Sequence, residues 1–463
     1  MKILKFGGTS VGSVEAINQV VSIVRQAHLQ SDPVVVVCSA MGGVTNQLIA
    51  LAELAQANDD LTALFHQLVK RHMETAEALL SDAHDLQSDL MSMFARLENL
   101  LSGIAAVGEL SARTRDLVMS FGEQLSCKMV AACLEDAGLK SLYTDSRALL
   151  ITDSRFGNAI VNEEITYSNI RNWYHQLGKV VPVVTGFIGN NAKGQTTTIG
   201  RGGSDLTAAI YGAALEADEI QIWTDVDGFM TADPRLVRNA FTLPELSYKE
   251  AMELSYFGAK VIYPPTMIPA IERNIPIVIK NTFNPGHPGT TILPASGKNG
   301  KLIKGISSIS RVSLINLEGG GMVGLMGFGG KLFGALAEAG VNVILITQAS
   351  SEHSISFAVA PDDTDAALEA IRSRFSFELE TRKIDAPTAE RDMSILAVVG
   401  ENMRHTRGLS GKLFQALGRS GVNVVAIAQG SSELNISVVI DSADLAKALN
   451  AVHDQLFLSP HKS

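Results

Sequence analysis

Residues Ser313–Val359 and Ser394–Ile440 align without a gap at an offset of 81, and no other feature limits the fold of the 463-residue chain so strongly. Lys331-Leu332-Phe333 recurs as Lys412-Leu413-Phe414, and Gly340-Val341-Asn342-Val343 recurs as Gly421-Val422-Asn423-Val424. Ser350-Ser351-Glu352 recurs as Ser431-Ser432-Glu433. Each copy reads strand, glycine loop, helix, glycine-capped helix end, strand, turn, strand. So small an α+β unit is expected to bury its sheet face against another copy. The copies are assigned to residues 305–390 and 391–463.

Ahead of the repeats the apolar pattern changes. Val34–Cys38, Lys179–Thr185, Glu219–Thr224 and Ile275–Ile279 are short, continuous and rich in β-branched residues, as strands buried on both faces of a parallel sheet should be. Runs with helical spacing, such as Leu206–Leu215 and Tyr248–Phe257, alternate with them. Residues 1–285 therefore predict an α/β sandwich with a central, mostly parallel sheet. From about 46 to 134 strand signals stop, and Leu, Ala and Met recur at helical spacing, including Leu61–Leu80 and Leu86–Ile104. A helical insertion is expected there. The turn-rich passage 286–304 reads as a linker. Length also demands several domains, because single cores rarely grow past roughly 250–300 residues.

Composition narrows the possible functions. Lys and Arg number 38 against 48 Asp and Glu, a net charge of −10 without any long basic block, which argues against a nucleic-acid partner. The longest apolar stretch near the N-terminus, Val34–Cys38, is too short to span a bilayer, and Met1-Lys2-Ile3 lacks the pattern of a signal peptide. A soluble, cytoplasmic protein without a membrane partner is expected. Cys38, Cys127 and Cys133 lack C-x-x-C spacing and lie in apolar surroundings, so they read as buried reduced thiols. The ten histidines show no metal-ligand spacing.

Two glycine loops carry the chemistry. Lys5-Phe6-Gly7-Gly8-Thr9-Ser10 follows an apolar strand and precedes a helical run with Ser13 as a cap candidate. Glycines let backbone N–H groups approach an anion, the helix start adds its dipole, and Lys5 adds a compact positive charge. Gly200-Arg201-Gly202-Gly203-Ser204-Asp205 repeats this combination and adds a carboxylate. Gly319-Gly320-Gly321-Met322-Val323-Gly324 matches G-x-G-x-x-G formally, but its counterpart at 400–405 lacks the pattern, and the next strand ends in Ile346-Thr347-Gln348 without a ribose-binding acid. The chain also lacks a G-x-x-x-x-G-K-[ST] loop.

Taken in order, Lys5–Ser10, Ser39–Asn46, Phe121-Gly122-Glu123, Gly200–Asp205, Trp223–Gly228, Asp233-Pro234-Arg235, Phe257–Lys260 and the duplicated tail resemble the aspartate kinases. These belong to the amino acid kinase superfamily and carry two C-terminal ACT-type regulatory domains. The runs Asn342–Gln348 and Asn423–Gln429 are most similar to the kinase half of bifunctional aspartate kinase–homoserine dehydrogenases. The resemblance implies transfer of the ATP γ-phosphoryl group, with Mg²⁺ on the phosphates, to the β-carboxylate of L-aspartate. The product, 4-phospho-L-aspartate, opens the route to lysine, threonine and methionine.

Residue roles follow from the same resemblance. Lys5 neutralises charge on the transferring group, helped by the N–H groups of Gly7 and Gly8, and Asp205 orients Lys5 or caps the following helix. Arg201 takes the substrate α-carboxylate with its planar fork, and Glu123 takes the α-ammonium. Ser39, Thr45 and Ser204 supply neutral hydrogen bonds. ATP is assigned to Lys5, Gly7, Gly8, Ser10, Thr224, Asp225, Met230, Arg235, Lys260 and Val261. Met230 stands where the family often has an aromatic residue, and Tyr263 where histidine is common. An amino-acid effector, threonine before lysine, is assigned to Met322, Gly327, Asn342, Val343, Ile344, Gln348, Asn423 and Gln429. A homodimer or tetramer built through the ACT-type domains is expected. Two alternatives differ in class: another carboxylate kinase of the superfamily, and a catalytically inactive amino-acid-sensing subunit.

Overall fold

An apolar run buried on both sides can only be an interior strand, and Val34–Cys38 is buried at all five positions. The structure, a computed structural model, describes residues 1–29, 33–259, 261–295, 302–322, 326–348, 353–403, 406–430 and 432–458. Up to residue 293 the strands are β1 (Lys2–Phe6), β2 (Val34–Cys38), β3 (Ser141–Thr144), β4 (Ile151–Thr152), β5 (Val181–Thr185), β6 (Ile188–Asn191), β7 (Thr196–Thr198), β8 (Glu219–Thr224), β9 (Glu245–Ser247), β10 (Ile277–Asn281) and β11 (Thr290–Leu293). Six follow: β12 (Gly305–Glu318), β13 (Val343–Gln348), β14 (Ser354–Val359), β15 (Thr388–Val399), β16 (Ala426–Ala428) and β17 (Asn435–Asp441). The first helices are α1 (Val14–Leu29), α2 (Val44–Ala57), α3 (Thr62–Leu79), α4 (His84–Val107), α5 (Ala112–Met119), α6 (Phe121–Asp136), α7 (Glu163–Gln176) and α8 (Gly203–Leu215). Then come α9 (Tyr248–Tyr256), α10 (Ile268–Glu272), α11 (Phe328–Glu338), α12 (Thr364–Arg374), α13 (Ser376–Glu380), α14 (Leu409–Arg419) and α15 (Leu445–His453).

The first compact unit comprises Met1–Phe229, Thr242–Tyr248 and Val261–Ser296. Its eight-stranded sheet has the order β3-β5-β2-β1-β8-β10-β11-β9. All its pairings are parallel except that between β10 and β11. The sheet is thus mostly parallel, as expected. Successive residues of β1 face opposite layers. Leu4 and Phe6 join Val20, Val24, Leu48 and Val130 in the core beneath α1, α2 and α6. Ile3 points the other way, toward α8, and at Gly212 of that helix an added Cβ would come within 2.6 Å of Ile220. Lys5 shares the Ile3 face, and Asp205 lies two helical turns before Gly212. That register brings the two side chains together.

The expected insertion is helical throughout, from α2 to α6, but α6 is a layer of the sheet rather than an appendage, since it packs directly on β2, β3 and β5. Helix α4 and the stretch Ala112–Asp136 have the length and hydropathy of membrane spans. Their apolar residues, Leu90, Phe94, Leu97, Leu125 and Val130 among them, are nevertheless inside the protein core. The three cysteines are free and buried. The passage read as a linker differs from expectation: Thr290–Leu293 is β11, inside the sheet. Thr290 is buried there, accepting from the Phe229 N–H and donating to the Leu243 carbonyl. A residue pattern of Pro, Gly and His at 285–289 hid a strand only four residues long.

The second unit comprises Met230–Phe241, Lys249–Lys260 and Gly297–Ser463. Its six strands form one sheet, in the order β13-β14-β12-β15-β17-β16. The two copies therefore share a sheet, joined by the antiparallel pairing of β12 with β15. Both long strands carry a left-handed residue at the same repeat position, Arg311 (φ 59°) and Asp392 (φ 57°), beside irregularities in their register. Leu314, Leu345 and Ala358 of one copy meet Ile395, Ala397 and Val439 of the other in a common core, the burial of face against face that the repeat implied. Helices α11 and α12 cover the first copy, and α14 and α15 the second.

Helix α6 can approach the loop after β2 because residue 122 is glycine. A Cβ there would lie 2.8 Å from the Ala40 Cβ. Gly122→Ala gains about 1 kcal/mol of helix propensity but overpacks a rigid contact at roughly 1–3 kcal/mol. A net loss of up to about 2 kcal/mol in urea unfolding is expected, without loss of the fold.

Candidate active site

Three helices of the first unit begin around one cavity of about 520 Å³. Their first turns contribute Gly43 and Thr45 (α2), Glu123 (α6), and Gly203, Ser204 and Asp205 (α8). Lys5 enters from the end of β1, and its Nζ lies 2.6 Å from Asp205 Oδ1, with little of either side chain exposed. Both the orienting contact and the place of Asp205 in the first turn of α8 are present. Gly202 (φ 70°) holds the cap position instead. Among the described residues, the N–H groups of Gly8, Thr9 and Gly43 have no hydrogen-bond acceptor. Gly8 and Gly43 line the cavity. Unpaired amides at helix starts attract anions.

The expected substrate residues come together: Ser39, Thr45, Glu123, Arg201 and Ser204 all line this cavity with Lys5 and Asp205. Glu123 is 3 % exposed, and one carboxylate oxygen accepts the Ala40 N–H at 3.1 Å. Its Oε2 is buried without a partner. Burial pushes this carboxyl up to about 8, because a lone charge is poorly solvated there. Such a group calls for a cation. The Arg201 guanidinium stands over the Tyr263 ring, 5.4 Å from its centre, so the aromatic residue that replaces the family's usual histidine supports the arginine.

Three residues that sequence reading missed hold the rim. Asp116, 1 % exposed, accepts from the Gly157 and Thr198 N–H groups and from the Thr198 hydroxyl, at 2.8–2.9 Å. Gly157 and Thr198 line the cavity. A lone aspartate in a helical run gives no sign in sequence that it will anchor two distant loops.

The nucleotide assignments fare differently. Gly7 donates its N–H to the Trp223 carbonyl, extending the β1–β8 ladder, and is not free for an anion. Ser10 is fully buried, its hydroxyl engaged by the Trp223 carbonyl and by Thr282, so it braces the loop rather than facing a ligand. Thr224 ends β8 and donates to Asp225; Val261 also lies in the first unit; none of these lines the cavity. Met230 and Arg235 belong to the second unit, where Asp233 accepts from the Arg235 guanidinium. Lys260 lies outside the described residues.

The second unit has a cavity of its own, about 450 Å³, between edge strands β13 and β16. Ile344, Gln348 and Gln429 line it, with Thr347, Asn435 and Ser437. The Thr347 hydroxyl donates to the Ile427 carbonyl at 2.8 Å, tying one copy to the other. The other expected effector residues do not line it: Met322 is core, Gly327 precedes α11, and Asn342, Val343 and Asn423 lie before the cavity-lining part of each strand.

Comparison with known proteins agrees with this arrangement. The amino acid kinase family profile matches residues 1–281, and the ACT domain profile matches 315–375 and 396–456. A chloroplastic bifunctional aspartokinase/homoserine dehydrogenase 2 of Arabidopsis thaliana is 42 % identical over 98 % of the chain, which spans half the length of that relative. Chloroplastic aspartokinase 1 of the same plant is 36 % identical, and the alignment covers 99 % of this chain and 80 % of that one. Among solved structures, E. coli aspartokinase III in complex with aspartate and ADP superposes with a TM-score of 0.81 at 27 % identity, covering 99 % of this chain and all of its own. With its kinase profile, paired ACT repeats and this full-length likeness, the chain belongs to the aspartokinase group of the amino acid kinase family.

Proposed function

We propose that the chain is an aspartate kinase, moving the γ-phosphoryl group of ATP to the β-carboxylate of L-aspartate to give 4-phospho-L-aspartate and ADP. Glu123 carries the reading. A buried carboxylate with an unpaired oxygen, in one cavity with an arginine fork backed by Tyr263, suits the ammonium and α-carboxylate of an amino acid. Lys5 and the unpaired amides in the same cavity suit a phosphoryl group. The presence of Lys5, Arg201 and Asp205 together disfavours an inactive sensing subunit. A glutamate or nucleotide kinase would not need the duplicated tail.

The acceptor carboxylate is ionised at neutral pH, so no base is required. An oxygen of that carboxylate attacks the γ-phosphorus as the bond to the bridging oxygen of ADP breaks, and the burden is holding two anions in line. Glu123 and Arg201 fix the ammonium and carboxylate on the substrate's Cα, so that the β-carboxylate at the other end projects toward Lys5. Asp205 holds the ammonium of Lys5 in place. Mg²⁺, carried on the phosphate oxygens it prefers, would neutralise part of their charge. Thr224 and Asp225, at the end of β8 and in the loop after it, remain the proposed nucleotide contacts in the first unit.

The reading extends to regulation. An end-product amino acid, threonine before lysine, is proposed to bind between Gln348 and Gln429 and to favour a less active state. The reading includes a homodimer built through the ACT repeats, and three buried free thiols support a cytoplasmic enzyme. The catalytic domain is proposed to run through β11, near residue 293, and the repeats to divide near 390.

Three outcomes are expected. With ATP, Mg²⁺ and hydroxylamine, L-aspartate should yield coloured aspartyl hydroxamate, and Lys5→Ala should lower the rate by at least about 100-fold; an unchanged rate would remove Lys5 from the mechanism. Threonine should inhibit this reaction, and Gln348→Ala or Gln429→Ala should raise the half-inhibitory concentration about tenfold, the loss of one good hydrogen bond to a charged group. Inhibition by lysine alone would reverse the ranking.

The third concerns pH. Folded Glu123 keeps its proton up to about 8, whereas the unfolded carboxyl releases it near 4.5, so the native state binds more protons between those values and stability falls as pH rises through the window. Glu123→Gln should therefore gain stability relative to the wild type between about pH 5 and pH 9. Aspartate binding, which needs the carboxylate, should release protons in calorimetry at neutral pH. Equal heats in buffers of different ionisation enthalpy would contradict the assignment.

A further inference from the structure

Arg71, on α3 of the helical insertion, lies outside the cavity yet touches the backbone of two glycine-bearing loops beside it, the one after β1 and the one after β2. Its Nη1 donates to the Gly42 carbonyl at 2.9 Å, in the loop after β2. Its Nη2 donates to the Gly12 carbonyl at 3.0 Å, in the loop after β1. The loops are in turn packed backbone on backbone: the Gly42 N–H donates to the Gly8 carbonyl at 2.9 Å. A Cβ on Gly12 would lie 2.9 Å from that Gly8 carbonyl oxygen, and one on Gly8 would lie 3.0 Å from the Ala40 carbonyl oxygen. Three glycines therefore share a contact too close for any side chain to fill or brace.

In a trans peptide the carbonyl and the following N–H point in opposite directions. Anchoring the Gly42 carbonyl on the insertion side turns the Gly43 N–H away from Arg71. Gly43 lines the cavity, and its N–H has no acceptor among the described residues. The base that holds Arg71 is rigid. The adjacent His72 is fully buried, its Nδ1 on the Leu68 carbonyl and its ring edge-on to Phe94 at 5.5 Å.

We propose that Arg71 is a positioning residue for phosphoryl transfer, a clamp from the insertion that fixes both glycine loops and aims the Gly43 amide into the site. It does not touch substrate. It replaces the side-chain packing that the glycines cannot provide, and it gives the insertion a role in catalysis. The inference rests on the aspartate kinase reading for its assay, but not for its structural readout.

The full chain should be compared with Arg71→Ala, Arg71→Met and Arg71→Lys. In Arg71→Ala, kcat should fall about 100-fold with the KM for aspartate changed less than about threefold, since misplacement by about 1 Å suffices for such a loss. Millimolar guanidinium should restore part of the rate to Arg71→Ala and none to Arg71→Met, whose side chain fills the vacated space. Arg71→Lys, which reaches one carbonyl, should be intermediate. By mass spectrometry, amide exchange across residues 6–13 and 39–47 should accelerate in Arg71→Ala. An Arg71→Ala rate within about twofold of the wild type, loss of rate without any guanidinium response, or unchanged exchange in both segments would each overturn the proposal. A wild type inactive on aspartate would count against the substrate, and the exchange comparison would still decide the clamp.

Discussion

The first unit is organised around the contact of Lys5 with Asp205. For Lys5 to stand there, β1 must be an interior strand with its backbone held by β2 and β8, and its odd residues must face α8. For Asp205 to meet it, α8 must start at Gly203. Either charge alone at this depth would be costly, and stripping one partner from a buried pair costs about 3–5 kcal/mol. The pair also sets the charge of the cavity. Lys5 and Arg201 stand against Asp205, and against Glu123 once that carboxyl gives up its proton to a bound cation, so the site carries no large positive excess to trap anions. Stabilisation of the transferring group then depends on where the charges sit rather than on how many there are.

Backbone amides make up what the balanced side chains withhold. The N–H groups of Gly8 and Gly43 add partial positive charge that cannot titrate and brings no counterion. To expose them, the loops must approach closely, which requires glycine, and each glycine costs about 0.5–1 kcal/mol of extra backbone entropy on folding. The ties that surround the loops offset that freedom: Ser10 to Trp223 and Thr282, Asp116 to Gly157 and Thr198, and Arg71 to Gly12 and Gly42. The side chains that make these ties, Ser10, Asp116 and Arg71, do not themselves line the cavity.

What could be read in advance follows from how local the physics is. The strands of the large sheet were legible because β-branched runs buried on both faces have no other stable use, as Val34–Cys38 shows. Lys5, Glu123, Arg201 and Asp205 were legible because their loops have a recognisable order along the chain, and all four share one cavity. Ser10 was misread because a serine in a glycine loop looks the same whether its hydroxyl faces a phosphate or a carbonyl 213 residues away. Asp116 and Arg71 were missed for the same reason: their partners are mainly backbone atoms, which leave no residue type to recognise. Strand β11 was hidden by turn-forming residues before it.

The duplicated tail makes a related point about symmetry. Strands β13 and β16 occupy equivalent repeat positions, and Gln348, which ends β13, and Gln429, which follows β16, line the cavity between them. On their own they would make a two-fold site, suited to a symmetrical ligand. The rest of the lining breaks the symmetry. Asn435 and Ser437 line the cavity from the second copy, whereas their counterparts Ser354 and Ser356 do not, and the Ser356 hydroxyl is instead bonded to Asn316. Phe257, from outside both copies, closes another part. A lopsided cavity with two amide side chains can hold a small molecule whose ends differ, as the ammonium, carboxylate and side chain of an amino acid do. Because the two strands come from different copies, such a ligand would draw together two halves of one sheet, and that differential contact is what any coupling to another state requires.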